Sequence, residues 1–228
     1  MLLLAIDTAT KLMSLALFDG KTILGEQSFV AGNQHNSLLS PAISHTLQVC
    51  GVAPRDLTAL AVVVGPGSYT GLRVGVAFAK GMAGARDLPL VGMSSLDVLA
   101  LGQPFTPKHT LMAVLQAGRG RVIVGTYTPK RGVWQAQGTP DITTLEGALD
   151  KAKEAETPII VTGELDDDAH ALLATRRQAG DALTVASSAS RVRRAALLAE
   201  EAHARLQRGT PADFVAAHVL PIYVSSPT

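Results

Sequence analysis

Asp7 has the residue type and the position to do chemistry, because it follows the apolar run Leu2–Ile6 and precedes Thr8 and Thr10. An acidic group at the end of a buried strand can orient hydrated Mg2+, while the hydroxyls and amides of the next turn face a phosphate. The same pattern is typical of an aspartate that accepts hydrogen bonds from the amides of its own turn. The residues alone leave both roles open.

The segment Gly65–Gly75, GPGSYTGLRVG, is the strongest local motif. Its spacing fits neither the dinucleotide-binding G-x-G-x-x-G pattern nor a P-loop. Its position between a predicted strand and a predicted helix could still present free amides to an anion. The alternative is packing, which we favour, because small residues recur every four positions at Gly71, Gly75 and Ala79. The candidate phosphate-binding residues are Asp7, Thr8, Thr10, Gly65, Gly67 and Ser68.

Metal and thiol chemistry has little support. The sequence contains neither His-x-x-x-His nor Cys-x-x-Cys, so we predict no metal site. The single cysteine, Cys50, cannot form an intrachain disulfide, which fits a reducing compartment. Arg191, Arg193 and Arg194 could contact RNA phosphates, although such a group is more often a solvated helix face.

Composition limits the function classes. Twenty Lys and Arg against 19 Asp and Glu give a net charge of +1, too small for a chain-wide field that would hold nucleic acid. With 47% hydrophobic residues, the chain can build a core, which excludes intrinsic disorder. Residues 1–100 contain only six basic and six acidic groups, so we expect a large apolar contact area there. Met1–Ile6 lacks the basic start of a signal peptide and no apolar run reaches membrane-spanning length, so we expect a soluble, cytoplasmic protein with no membrane partner.

The predicted elements repeat, which indicates an α/β fold of two similar lobes, 1–102 and 103–228. An offset of 109 residues aligns Leu3–Asp7 with Met112–Gln116. We expect the last helix to pack back on the first lobe, and Pro41 to lie in the first turn of a helix over Ser37–Val49. The alternative is that α/β chains often look repetitive. The predicted strands are Leu2–Ile6, Met13–Phe18, Thr22–Phe29, Ala59–Val64, Thr110–Leu115, Arg121–Thr128, Val133–Gln137 and Pro158–Thr162, and the predicted helices are Ser37–Val49, 71–85, Thr144–Glu154, Asp167–Arg177 and Ser190–Gln207.

Four segments together resemble the bacterial TsaB (YeaZ) family: Ala5–Thr10, His35 with Leu39 and Pro41, Gly65–Gly75 with Ala79–Gly81, and Gly92–Leu96. The resemblance implies an actin-like (ASKHA) fold of two ribonuclease-H-like lobes. It also implies a non-catalytic role in forming N6-threonylcarbamoyladenosine at position 37 of tRNAs that read codons beginning with A. The implied partners are the catalytic subunit TsaD and the ATPase TsaE, with a homodimer when the chain is alone and tRNA reached through the complex.

The resemblance also indicates which positions would hold a catalytic metal. TsaD-like relatives carry His-Leu-Glu-Ala-His after the glycine-rich helix, and its two histidines align with Ser95 and Leu99. Leucine cannot ligate a metal, so we expect neither a catalytic metal nor peptidase activity. Many relatives open the second lobe with Asp-Ala-Arg where this chain has Gln116–Gly118.

We expect the partner interface on the first-lobe helices, about 37–49 and 71–85. Its candidate residues are Leu39, Ile43, Leu47, Gly71, Arg73, Val74, Gly75, Phe78 and Ala79. No cofactor is expected, apart from weak Mg-ATP or Mg-ADP binding in a remnant cleft. The alternative is an actin-fold ATP-dependent phosphotransferase that uses Asp7 and the 65–71 turn, but it needs a second-lobe carboxylate where Gln116 stands. A weaker alternative is a tRNA-binding module that works alone.

Overall fold

The structure is a computed structural model that describes residues 1–224, and the chain divides into two compact units. The first contains Met1–Val98 and Arg193–Tyr223, and the second contains Leu99–Val192 and Val224. The strands are β1 Leu3–Asp7, β2 Leu12–Phe18, β3 Ile23–Val30, β4 Ala59–Gly65, β5 Leu90–Ser94, β6 Thr110–Gly118, β7 Arg121–Lys130, β8 Val133–Thr143, β9 Ile159–Gly163 and β10 Leu183–Val185. The helices are α1 His35–Val49, α2 Tyr69–Gly84, α3 Ser95–Leu101, α4 Leu145–Lys153, α5 Asp167–Gln178 and α6 Ala195–Arg208, with 3-10 turns at Pro54–Asp56, Pro211–Phe214 and Ala216–His218.

The first unit is built on a mixed sheet with strand order β3-β2-β1-β4-β5. β1 pairs antiparallel with β2 and parallel with β4, and every residue of β1 is buried. One face of the sheet packs against α1 and α2, through residues such as Leu39 and Val76. The other face packs against α6, through Ala195 and Leu198. A strand buried on both faces explains why Leu3–Ile6 is continuously apolar.

The second unit repeats this topology, with strand order β8-β7-β6-β9-β10. β6 occupies the central position of β1, since it pairs antiparallel with β7 and parallel with β9. β4 and β9 both end in a glycine with positive φ, +118° at Gly65 and +108° at Gly163. The matching order and strand directions confirm the duplicated α/β fold.

Several elements differ from the sequence expectation. The units divide at Val98/Leu99 rather than after residue 102. The last helix lies where we expected it, because the alanine-rich face of α6 covers the sheet of the first unit, and residues 193–223 belong to that unit. β5, α3 and the short β10 were not predicted. The last helix begins at Ala195 rather than Ser190.

Pro41 was expected in the first turn of its helix, and this was wrong. α1 begins at His35, which places Pro41 inside the helix. Its missing N–H leaves the Ser37 carbonyl without an i+4 donor, but both residues are exposed, so water can bond that carbonyl.

Among the described residues, no helix is both long enough and apolar enough to cross a bilayer.

The glycine that ends β9 gives a stability prediction. A Cβ at Gly163 would lie 2.1 Å from the Val114 carbonyl oxygen, at a backbone φ of +108° that L-residues avoid. We expect Gly163→Ala to lower the free energy of unfolding by about 1–3 kcal/mol in urea titrations. Gly84→Ala is the control, because Gly84 is the exposed last residue of α2 and a Cβ there would meet nothing within 4 Å, so this change should be neutral or stabilising by up to about 1 kcal/mol. Equal effects of the two variants would contradict this account.

Candidate functional site

A buried ion pair lies at the end of β1. Arg193 Nε donates to Asp7 Oδ2 at 2.8 Å, and the two side chains are 2% and 1% exposed. Asp7 Oδ1 accepts from the Ala9 amide at 2.8 Å, and Arg193 Nη2 donates to Thr10 Oγ1 at 2.5 Å. A charge so deeply buried is tolerated only when paired and hydrogen-bonded, and both Asp7 oxygens have a donor here.

The turn between β1 and β2 also holds the starts of α1 and α2, the two helices that pack on the face of the sheet opposite α6. The Thr8 hydroxyl donates to the Gly71 carbonyl at 2.7 Å, and the Ser68 amide donates to the Ala9 carbonyl at 2.6 Å, so the turn holds the start of α2. His35 Nε2 donates to the Thr10 carbonyl at 2.7 Å, which holds the start of α1. The ion pair therefore anchors a turn on which α1 and α2 both depend.

The glycines of the 65–75 segment allow α2 to approach this turn closely. A Cβ at Gly67 would lie 2.1 Å from the Ala9 carbonyl oxygen, and one at Gly71 would lie 2.2 Å from that of Thr8. A Cβ at Gly75 would lie 2.2 Å from Thr8 Oγ1. Real Cβ atoms do not come so close, so a side chain at any of these positions would push α2 away from the sheet. The small-residue stripe serves packing within the first unit, between helix and turn rather than between helices.

The predicted phosphate-binding residues come together, but their polar atoms bond to one another. Asp7 is neutralised by Arg193, Thr8 and Thr10 are buried with their hydroxyls paired, and Ser68 Oγ accepts from the Gly71 amide at 3.3 Å as the N-cap of α2. At Gly65 the space for a Cβ is filled by the Ile222 carbonyl, 2.4 Å away. The Arg193 guanidinium is bonded to the Asp7 carboxylate, to which a magnesium ion would have to bind. This geometry disfavours both the nucleotide site and the phosphotransferase alternative, and it matches the turn-capping alternative for Asp7.

Six of the nine candidate interface residues lie inside the first unit. Leu39, Ile43 and Leu47 belong to the core between α1, α2 and the sheet, where Ala79 also lies. Gly71 and Gly75 are buried against the β1–β2 turn. Only Arg73, Val74 and Phe78 present surface. The prediction that the apolar stripe of α1 contacts a partner was therefore wrong. Apolar residues at helical spacing indicate first of all the side of a helix that packs on its own core.

The outer face of α1 and α2 is almost without charge, and it mixes exposed polar residues of α1 with partly buried apolar side chains. Partly buried apolar side chains line it: Leu38, Ala42, Val74, Phe78 and Met82. α1 contains no Asp, Glu, Lys or Arg, and α2 contains only Arg73 and Lys80.

Both cations of α2 bond to the C-terminal segment. Lys80 Nζ donates to the carbonyl oxygens of Ala217 and Val219, at 3.1 and 2.9 Å. Arg73 Nε donates to Tyr223 Oη at 3.3 Å, which raises the pKa of its guanidinium. Arg73 also lies over the Tyr69 ring, 3.9 Å from the centroid. These contacts leave α1 and α2 with an outer face that offers uncharged surface, partly apolar and partly polar.

The residues aligned with metal-binding histidines have other roles. Ser95 and Leu99 are one turn apart on α3 and both are buried. Ser95 Oγ donates to the Pro66 carbonyl at 2.5 Å, which ties α3 to the glycine-rich turn. Within residues 1–224, no three His, Cys, Asp or Glu side chains group to hold a metal ion.

Arg193 was considered only as an RNA contact, and the structure buries it instead. Its partner Asp7 is 186 positions away in the sequence. Neighbouring Arg194 donates to Glu26, which raises the pKa of the Arg194 guanidinium, and Arg205 and Arg208 bond Glu201. A weak signal was available, because Arg193 lies two residues before Ala195, where the alanine-rich face of α6 begins.

Known proteins match the chain in both sequence and fold. The family model described as TsaD, tRNA N6-adenosine threonylcarbamoyltransferase, matches residues 29–161. The tRNA threonylcarbamoyladenosine biosynthesis protein TsaB of Bacillus subtilis is 36% identical over 72% of this chain and 71% of its own length. The TsaB protein of Escherichia coli is 30% identical over the same shares. A Pseudomonas aeruginosa crystal structure, described as similar to peptidase YEAZ, superposes with a TM-score of 0.77 and 25% identity over 98% of this chain and 99% of that one.

The two repeated α/β units define an actin-like protein of the group described by the TsaD family model. Within that group, the extent and identity of the matches show that the chain belongs to the TsaB (YeaZ) family.

The buried ion pair gives a second prediction. Arg193→Met leaves Asp7 charged and unpaired, so we expect a loss of about 3–5 kcal/mol in the free energy of unfolding, measured by urea titration. Asp7→Asn in the same chain should recover a large part of that loss, because the amide oxygen still accepts from Ala9 and no charge is left buried.

The control is Arg194→Met, which removes the half-exposed contact to Glu26 and should cost at most about 1 kcal/mol. If the single variants at 193 and 194 cost the same, the buried pair does not have the role described.

Proposed function

We propose that the chain is a non-catalytic cytoplasmic subunit of the complex that forms N6-threonylcarbamoyladenosine at position 37 of tRNAs reading codons that begin with A. The observation that carries this proposal is that Arg193 neutralises Asp7, the acidic group through which this fold could hold a catalytic cation. Ser95 and Leu99 support it, since neither side chain can replace a metal-binding histidine. The names of the TsaB relatives supply the pathway.

The proposed partner is the TsaD-type enzyme, which would bind the outer face of α1 and α2. A partner could cover that face, which includes Val74 and Phe78, without desolvating a free charge, because Arg73 and Lys80 already bond the C-terminal segment. A stable interface buries more than about 1,000 Å2, and two adjacent helices can supply such an area.

The likeness of the chain to its proposed partner suggests the form of the pair. The TsaD family model matches this chain, so the partner's first lobe would carry equivalent helices. Like folds that meet through equivalent surfaces form a pseudo-twofold pair, and the same surface can pair two copies of this chain in the absence of the enzyme. We propose that the TsaE-type ATPase joins the assembled pair.

Reconstitution tests the role of the chain. Purified TsaD-type and TsaE-type proteins, threonylcarbamoyl-adenylate and tRNA should yield the modified nucleoside, detected by mass spectrometry, only when this chain is added. The chain alone should yield none. Modification by the isolated chain, or unchanged modification without it, would refute the proposal.

The helix face gives a third prediction. Ala77 is exposed on α2, one turn from Val74 and beside Phe78, so Ala77→Asp places a charge on the face without filling the core. We expect the Kd for the TsaD-type partner, measured by calorimetry, to rise at least about tenfold, because a buried unpaired carboxylate is poorly tolerated. Ala171→Asp on exposed α5 makes the same exchange in the second unit and should leave the Kd unchanged. Equal Kd values for Ala77→Asp and the wild type would place the interface elsewhere.

A further inference from the structure

The second unit separates its charges along the chain. Between Leu99 and Pro140 all five charged residues are basic: Lys108, Arg119, Arg121, Lys130 and Arg131. Between Asp141 and Val192 ten acidic residues face five basic ones. The near-zero net charge of the whole chain therefore hides a basic meander, formed by β6, β7 and β8 up to Pro140 with the loop before β6, and an acidic half that starts at Asp141 and contains α4, β9, α5 and β10.

The basic side chains are exposed at the turns of the meander. Within residues 1–224, Lys108, Arg119, Lys130 and Arg131 have no ion-pair partner, in contrast to the Arg176 network with Asp150 and Asp181 in the acidic half. Cations without carboxylate partners produce an outward positive potential.

Both hairpins of the meander place an arginine where the backbone disfavours it. Arg119-Gly120 and Arg131-Gly132 are two-residue turns in which every residue has positive φ, +56° and +70° in the first and +52° and +84° in the second. Such turns favour Asn or Asp before the glycine, because these side chains tolerate the left-handed region. Lys108 also has a positive φ, +62°. Strained backbone retained under exposed cations points to a use for the charges outside the fold.

Aromatic rings lie beside the cations at one end of the meander. Trp134 pairs with Pro129 across the β7–β8 hairpin, three residues from Arg131, and its Nε1 donates to the Gln103 carbonyl at 3.3 Å. The Phe105 ring is 6.0 Å from the Trp134 ring and its side chain is 41% exposed. Lys108 precedes β6 at the same end, because Leu111 pairs with Tyr127 near the end of β7. This end offers cations and an exposed ring together.

We propose that the basic meander is an RNA-binding surface: Lys108, Arg119, Lys130 and Arg131 contact phosphates, and Phe105 stacks on an unpaired base. Cations with an adjacent aromatic ring suit single-stranded or loop RNA, because the cations can pair with phosphates and an unpaired base can stack on the ring. An acidic protein would use the charge but not the exposed ring. The inference rests on the proposed function, in which the bound RNA is the tRNA that the complex modifies.

The test separates binding from folding, because the chosen variants fit the turns better than the native residues do. Arg119→Asn/Arg131→Asn places at both tips a residue that tolerates positive φ, so the thermal unfolding midpoint should be equal or higher. In the complex with its TsaD-type partner, tRNA affinity should fall at least about tenfold, and the slope of log K against log salt should decrease by about two. Lys151→Gln/Arg177→Gln removes two exposed cations from the acidic half and should change neither quantity.

A ring variant tests the stacking contact independently. Phe105→Leu keeps an apolar side chain but removes the flat ring, so tRNA affinity should fall about fivefold or more with the salt slope unchanged.

Wild-type affinity and slope in the arginine double variant would overturn the inference, as would an equal loss in the control. A loss of protein partner binding with tRNA affinity intact would also overturn it, in favour of an acidic protein ligand. In each of these cases the reconstituted wild-type complex still modifies tRNA, so the proposed function stands. Absence of modification by that complex would instead refute the proposed function.

Discussion

The first unit depends on the Asp7–Arg193 ion pair more than on any other polar contact. Its two members come from the first strand and from the residues just before the last helix, and neither is exposed by more than 2%. Since a buried charge without its partner is costly, the first unit cannot take its native form until the chain has returned from the second unit. The unit is therefore discontinuous in sequence for an energetic reason, and α6 is an integral part of its core.

The same pair explains why a glycine-rich turn in this fold does not indicate a phosphate site. Arg193 and the Ala9 amide donate hydrogen bonds to the Asp7 carboxylate, and these bonds fix the β1–β2 turn. The carbonyl groups of that turn then occupy the space that side chains at positions 67 and 71 would need. In a phosphate loop, glycines leave room for a ligand. Here they leave room for the protein's own backbone, so the glycine pattern is retained while its chemical role differs.

The sequence predicted what depends on local periodicity and repetition. The order of the elements and the duplication follow from short patterns, and Gln116 already marked the second β1-like strand as lacking a carboxylate. Spacing alone could not show that Arg193 meets Asp7. Nor could it show that the Leu39–Ile43–Leu47 stripe faces inward, because helical spacing reveals that a helix has an apolar face without saying what covers it. Deciding between core and partner required the positions of the strands.

Charge placement gives the two units different surfaces. In the first unit the cations of α2 bond the C-terminal segment, so its helices offer an uncharged face that suits a folded protein partner. In the second unit the cations of the meander have no carboxylates nearby in the sequence, so the surface suits a polyanion. A net charge of +1 argues against a positive electrostatic field around the whole chain. It does not exclude a positive potential at a single hairpin, because salt screening limits the range of each charge to about 8–10 Å. In the proposed complex, the chain would thus contribute protein contacts through one unit and RNA contacts through the other.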